Sequence, residues 1–379
     1  MPDQTTLNHA ARIIGSISAD RRADVALRFY FEAHRYIGAR EKREISHAVF
    51  LYFRWLSWLD EKSSLQKRIE HAAILHERFL ANPKSVKVEA LAALAVPKWL
   101  ASEMDLPPDY LRQLQRDPSL WLRARPGTSA VLGRSLFACE FSQLVPDALR
   151  FTGKQDLFKT EQFKLGEFEI QDLASQFVGL ACAPKPGETW WDTCAGEGGK
   201  TLHLADLMAN KGTVWATDRH SGRLETLKRR AGRAKLFNYR TALWDGSASL
   251  PTKTKFDGIL VDAPCSGVGT WQRNPHARWT TTPEDVSELA ATQLSLLNQV
   301  AGSLKPGGRL IYSVCTLTRS ETTAVANTFG AAHPELEPLP LPLATSSSTQ
   351  PTAPSSQLFL WPHEINANGM FIAAWTRKK

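Results

Sequence analysis

The sequence predicts an α/β protein built on a mostly parallel sheet, preceded by a small α/β module and an N-terminal helical domain. Three observations predict it. Up to about Gln115 apolar residues recur at spacings of three and four, the period of a helix face. After residue 170 short apolar runs alternate with helical stretches, the pattern of right-handed βαβ units whose parallel sheet is covered on both faces. Between the two, short apolar pieces are broken by Gly and Lys.

In the helical part (1–116), Ile45, Val49, Tyr52, Phe53, Leu56 and Leu59 line one face. Leu65, Ile69, Ala72, Ala73 and Leu75 begin a second, and the stretch from Val88 to Leu94 a third. Asp105–Leu106–Pro107–Pro108 interrupts the pattern and starts a last helix through Leu114. On its own this part reads equally as a plain helical bundle. Residues 117–169 form the small module, which opens on a strand at Trp121 and a turn at Pro126–Gly127. From 170 to 379, strands are expected over Thr189–Asp192, Thr213–Thr217, Tyr239–Leu243, Phe256–Val261 and Arg309–Val314. Helices are expected over Lys200–Asn210, Arg223–Leu236 and Pro283–Leu304. The Ser-, Thr- and Pro-rich stretch from Ala344 to Gln357 reads as an exposed loop before a final strand, Met370–Trp375.

With 379 residues the chain exceeds one small core. A net charge of +8 fits a polyanionic partner such as nucleic acid, and fits equally a basic protein without one. Five cysteines, an odd number with no CxxC pair, exclude a disulfide framework, a zinc knuckle and a redox dithiol, and no metal is expected. The N-terminal residues lack the basic start and apolar run of a signal peptide. The most apolar stretch, Ile45 to Leu59, carries His47 and Arg54 and is shorter than a membrane span. The expectation is a cytoplasmic protein with no membrane contact, and nothing demands more than a monomer.

The first chemically informative segment is Trp191–Asp–Thr–Cys–Ala–Gly–Glu–Gly–Gly–Lys–Thr201, a strand running into a glycine-rich turn that opens a helix. Such a turn lets a ligand approach the backbone at the carboxyl end of the strand. Asp218 ends the next strand, where a carboxylate holds a ribose hydroxyl or else caps the following helix. Asp245, after the third strand, is placed to line an adenine pocket. The spacing is neither GxGxxG nor GxxxxGK[ST], which argues against a dinucleotide site and a phosphate loop. The two readings of the turn are an adenosyl-cofactor site and a merely tight strand–helix connection.

Two cysteines follow strands at the same sheet edge. Asp262–Ala–Pro–Cys265–Ser–Gly follows the strand ending at Val261, and Cys315 follows Arg309–Val314. Thiols are most often buried and structural, the reading given to Cys139, Cys182 and Cys194. Two of them at strand ends of one edge point instead to covalent catalysis.

At these residues the chain resembles the Nop/Sun (RsmB-like) family of RNA cytosine-5 methyltransferases, from about Leu120 onward. The resemblance rests on Gln171–Asp–Leu–Ala–Ser–Gln176, the glycine-rich turn, Asp218, Asp262–Ala–Pro–Cys–Ser–Gly267, Arg273–Asn–Pro–His–Ala–Arg–Trp279, Leu304–Lys–Pro–Gly–Gly308 and Tyr312–Ser–Val–Cys315. It implies a Rossmann-like class I methyltransferase domain with a seven-stranded sheet, its last strand antiparallel. It implies S-adenosyl-L-methionine as cofactor and RNA as partner, ribosomal RNA before transfer RNA. The cofactor would lie on Cys194, Ala195, Gly196, Glu197, Gly198, Gly199, Lys200, Asp218, Arg223, Asp245 and Asp262. Cys315 would be the nucleophile and Cys265 would help to release the product. The helices around Arg43 to Asp60 would correspond to a NusB-like RNA-binding domain, and Trp121 to Glu169 to the family's small RNA-binding subdomain.

The chemistry explains the thiols. Carbon 5 of cytosine is too weak a nucleophile to take a methyl group, and a thiolate adding at carbon 6 turns the ring into an enamine that can. The proton on carbon 5 then leaves and the thiol is expelled, with Cys265 or another base assisting and Asp262 hydrogen-bonded to the ring nitrogen. Three departures from the family pattern stand out: Gly196–Glu197 in place of Ala–Pro, Val314 in place of Thr, and Glu321–Thr322 in place of Glu–Asn. The first places a carboxylate beside the cofactor.

Seven Lys and Arg residues between Arg219 and Lys235 face only Glu225, a phosphate-contacting face or a solvated helix surface. Arg273, His276, Arg278 and Trp279 are better placed to hold a flipped base and its phosphates, although Trp279 reads equally as a core aromatic. The rivals are a DNA cytosine-5 methyltransferase attacking through Cys265, and a non-catalytic RNA-binding or ribosome-assembly protein that keeps the fold.

Overall fold

A computed structural model describes residues 2–18, 21–341 and 355–379. The chain divides into two compact units, Met1–Pro118 with Thr270–Pro283, and Ser119–Gly269 with Glu284–Lys379. The sequence placed one boundary near residue 116, set residues 117–169 apart from the rest, and had no signal for the assignment of 270–283 to the helical unit.

The helical unit is built on Gln4–Gly15, Ala23–Ala33, Ala39–Arg54 and Leu65–Ala81, followed by the short helices Val88–Leu94, Leu100–Glu103 and Pro108–Leu114. Asp3 and Ser64 cap two of them by accepting from the Thr6 and Lys67 amides. Ile45, Val49, Tyr52, Phe53 and Leu59 are buried as the periodicity requires, in one core with Leu7, Ile13, Trp55, Ile69 and Phe79. Residues 270–283 are fastened into this unit. Arg278 is fully buried and donates to the carbonyls of Ala95 (2.9 Å) and Leu114 (3.1 Å), at the ends of two short helices. Those carbonyls have no intrahelical partner, so the guanidinium satisfies them. Trp279 donates its indole N–H to the Phe53 carbonyl (2.7 Å), and His276 meets the Phe53 ring edge-on. His276, Arg278 and Trp279 are thus taken up by packing, which corrects their reading as base and phosphate contacts. Arg273 alone of the four is exposed.

In the second unit the strands are β1 (Leu120–Ala124), β2 (Cys139–Phe141), β3 (Ala148–Phe151), β4 (Phe168–Ile170), β5 (Thr189–Asp192), β6 (Thr213–Asp218), β7 (Tyr239–Leu243), β8 (Phe256–Asp262), β9 (Leu304–Val314), β10 (Leu336–Pro338), β11 (Gln357–Leu360) and β12 (Met370–Arg377). The first four make a small antiparallel sheet in the order β2–β3–β1–β4. The others form one sheet in the order β10–β12–β9–β8–β5–β6–β7, with β11 also paired to β12. From β9 to β7 every pairing is parallel, and β12 runs antiparallel to β9.

Among the described residues the sheet has eight strands rather than seven, with β10 and β11 both paired to β12. β11 begins at Gln357, where a loop was expected; of the rest of that loop, 344–354 lies outside the described residues, and Ser355 and Ser356 precede the strand. Trp190, Trp191, Ile259, Leu260 and Val261 are fully buried, as central strands covered on both faces should be. Gly258 is needed there, since a Cβ would lie 2.3 Å from the Trp190 ring.

The small sheet is docked on the large one by ions. Arg123 and Arg125 of β1 both pair with Asp206 at the end of helix Gly199–Leu207, the latter at 2.6 Å. Glu169 of β4 accepts from Arg230 (2.9 Å) and Arg233 of helix Ser221–Arg233. Among the described residues, no helix is long and apolar enough to cross a membrane.

Candidate active site

β5 ends at Asp192 and the chain turns through Gly196 and Gly198, both with positive φ (54° and 86°), before the helix starts at Gly199. Gly198 fits by close packing: a Cβ there would lie 2.5 Å from Leu227 and 2.8 Å from Leu202. Gly196 and Gly199 are open, with nothing within 4 Å of where a Cβ would be. The Ala195 amide donates to the Thr217 carbonyl (2.8 Å), which anchors the turn on β6. Asp218 closes it from the neighbouring strand, accepting from the Gly196 amide (3.0 Å) and the His220 amide (2.8 Å). The following helix has His220 at its N-cap, with no side-chain cap, so Asp218 serves the turn and not that helix.

A pocket at this edge is lined by Thr193, Cys194, Asp218, Arg223, Trp244, Asp245, Asp262, Pro264 and Leu296, among others. It unites Cys194, Asp218, Arg223, Asp245 and Asp262 from the sequence-assigned set. Ala195 to Lys200 form the turn beside it. Glu197 is exposed and does not line the pocket. Burial pushes the Cys194 thiol up to about 12, an unreactive group. Trp244, Pro264, Thr292 and Leu296 were not legible as pocket residues; they come from two loops and a helix that only folding brings together.

β8 and β9 lie side by side with Asp262 opposite Ser313, so the loops carrying Cys265 and Cys315 emerge together. Both thiols are reduced, and their sulfurs are 3.3 Å apart. Asp262 accepts from Lys200 Nζ (2.7 Å) and from the Ser313 hydroxyl (2.8 Å). Burial by itself would lower the Lys200 pKa, but Asp262 and then Cys315 outweigh it and the pKa is raised; the ammonium stays charged. The hydrogen bond to Cys315, then burial, then the charges of Cys315 and Glu321 push the Cys265 thiol well up. Cys265 therefore keeps its proton, and either sulfur can donate in the contact between the two.

The other expectations divide. Cys182 is fully buried in the core and Cys139 half-buried on β2. Val314 is a fully buried core residue of β9. Of the basic residues from Arg219 to Lys235, Arg230 and Arg233 are committed to Glu169, and Lys228 pairs with Glu225. The Lys200–Asp262 pair, Ser313 and Glu321 escaped sequence reasoning. Lys200 read only as part of the turn, and Glu321 only as a departure point.

Residues 179–376, more than half of the chain, match the model of the 16S rRNA methyltransferase RsmB/F family. The chain belongs to this family. The Nop/Sun resemblance is thereby borne out. Probable ribosomal RNA small subunit methyltransferase B of Bacillus subtilis (strain 168) is 38% identical over 242 residues, 63% of this chain and 54% of that protein. The chain spans about half the length of the curated relatives it matches. The crystal structure of PH0851 superposes over 100% of both chains with a TM-score of 0.80 at 24% identity, a likeness of fold. A methyltransferase homologue from Pyrococcus horikoshii is 27% identical with a TM-score of 0.61, covering 71% of this chain and 90% of its own.

Proposed function

We propose that this RsmB/F-family chain is an RNA cytosine-5 methyltransferase, acting on ribosomal RNA with S-adenosyl-L-methionine through a covalent cysteine–cytosine intermediate. One observation carries the reading: two reduced thiols 3.3 Å apart at neighbouring strand ends, beside the Lys200–Asp262 ion pair.

The residues fit the cofactor. Asp218 and Asp245 offer carboxylates for hydroxyl and amino groups, and Trp244, Pro264 and Leu296 offer apolar surface for a base. The open space over Gly196 and Gly199 leaves room for the backbone of the turn to be approached. When bound, the cofactor supplies an electrophilic methyl group.

The chain's own residues account for the rest. The Cys315 thiolate adds to carbon 6 of the cytosine, a C–S bond forms, and the electron pair moves to carbon 5. In this reading Asp262, paired with Lys200, faces the ring nitrogen, and the Lys200 ammonium supplies it a proton as charge builds there. After carbon 5 has taken the methyl group, a base removes its proton, the carbon 5–carbon 6 double bond returns and the Cys315 sulfur leaves. Cys265 attends this last step, adjacent to the bond that breaks. The exposed Glu197 supports catalysis over a fold-only protein, because its carboxylate stands clear of the pocket lining.

The test is a denaturing gel after incubation with S-adenosyl-L-methionine and RNA from cells lacking the enzyme. Cys265→Ala should accumulate a slow-migrating protein–RNA adduct, and the double variant with Cys315→Ala should give none. Absence of the band where RNA binding is demonstrated would overturn the reading.

A further inference from the structure

The two cysteine loops are fastened to each other by one carboxylate that the mechanism above does not use. Glu321 is fully buried. Its Oε1 accepts from the Ser266 amide (2.8 Å) and from Gln293 Nε2 (3.0 Å). Its Oε2 accepts from the Thr318 hydroxyl (2.9 Å) and from the Ser266 hydroxyl. Gln293 in turn donates to the Pro264 carbonyl (2.9 Å), and Tyr312 donates to the carbonyl of Glu321 itself (2.6 Å). Every residue on either side of Cys265 is therefore held, Pro264 through Gln293 and Ser266 directly. A second tie lies beside it, between the hydroxyls of Ser266 and Thr316 (3.0 Å) and from the Gly269 amide to the Cys315 carbonyl (3.0 Å).

A buried carboxylate is costly to desolvate, and apolar side chains would pack these loops more cheaply. Three of its four contacts fall on the residue next to one thiol and on the turn after the other, and the fourth, Gln293, holds the Pro264 carbonyl. We infer that Glu321 is a positioning residue that holds Cys265 against Cys315 for the release step. This rests on the covalent mechanism proposed above. Its negative charge adds to the same end, since a carboxylate beside Cys265 disfavours a second thiolate and leaves the nucleophile's role to Cys315.

The consequence falls on one step. Without Glu321 the Cys265 loop is free to drift by an ångström, a displacement that costs about a hundredfold in rate when it misplaces a reacting group. Glu321→Ala should therefore slow adduct resolution about a hundredfold while Cys265 is still present, so that the band seen with Cys265→Ala appears in a protein that has both thiols. Adduct formation in a single turnover should change far less. Glu321→Gln should restore release, because its carbonyl still accepts from Ser266 and Gln293 while the two hydroxyls turn to accept from its amide. A general loss of structure would instead lower adduct formation and release together, and glutamine would not separate them.

Ser266→Ala, which removes one hydroxyl and leaves the carboxylate, gives a milder version of the same loss. It should show a smaller accumulation of adduct at unchanged single-turnover formation. If Cys265→Ala traps the adduct but Glu321→Ala and Ser266→Ala turn over as the wild type does, the inference about Glu321 fails alone. If Cys265→Ala traps nothing, the covalent reading fails and takes the inference with it.

Discussion

Two carboxylates anchor the two units, and they are held in opposite ways. In the helical unit Asp117 is surrounded by groups that carry or can take positive charge: Arg54 at 2.8 Å, His76 at 3.1 Å and His47 at 3.4 Å. In the second unit Glu321 is surrounded by an amide N–H, a glutamine and two hydroxyls, all neutral. Asp117 is partly exposed, with 44% of its side chain accessible, whereas Glu321 has none. Charged partners neutralise a carboxylate and turn it into a staple for the fold. Neutral partners fix its position but leave its field intact for its neighbours, here Cys265.

The comparison breaks most visibly at Asp117. Asp117→Ala leaves Arg54, only 2% exposed, buried without its counter-charge. Loss of one partner of a buried pair costs about 3–5 kcal/mol, and solvent access at Asp117 reduces this to about 2–3 kcal/mol, measurable by urea unfolding. An unchanged midpoint would mean that the ion pair is not what holds this end of the helical unit.

A smaller effect is expected at Arg278. Arg278→Met keeps the bulk of the side chain and leaves the Ala95 and Leu114 carbonyls unsatisfied, at about 1–3 kcal/mol. The salt dependence of RNA binding should not change. A true phosphate contact would reduce the slope of log K against log salt by about one unit, and such a reduction would return Arg278 to the RNA.

The mildest test is pH. Burial opposes ionisation of Asp117, but hydrogen bonds from His47 and His76 and the charges of Arg54 and His76 outweigh it and hold its pKa well below the usual carboxylate range. Its folded pKa is thus depressed, so its contribution is fully present above the unfolded carboxylate value near 4 and is lost as pH falls below it. Asp117→Asn should flatten the acid limb of the unfolding profile. Glu321→Ala acts on release instead, through the hydrogen bonds that hold Ser266 and Gln293, which is the contrast between the two anchors.

The sequence alone determined the order of β5 to β9 and β12 with the helices after β5, β6 and β8, the glycine-rich turn, the strand-end aspartates and both strand-end thiols. These are local: a period, a turn or a residue at the end of an apolar run records them wherever the chain goes next. It did not disclose β10 and β11, which are short edge pieces with little periodicity of their own and exist through pairing with β12. Nor did it separate Arg278 and Trp279 from an RNA contact, because an arginine reads the same whether it meets phosphate or two orphan carbonyls of short helices. Only the tertiary structure decided that. The same holds for Glu321, whose partners Ser266 and Gln293 lie 55 and 28 positions away. Hydrogen bonds between distant segments leave no local pattern, since they are set by how β8, β9 and the helix Pro283–Ala301 come together and not by the spacing of any one segment.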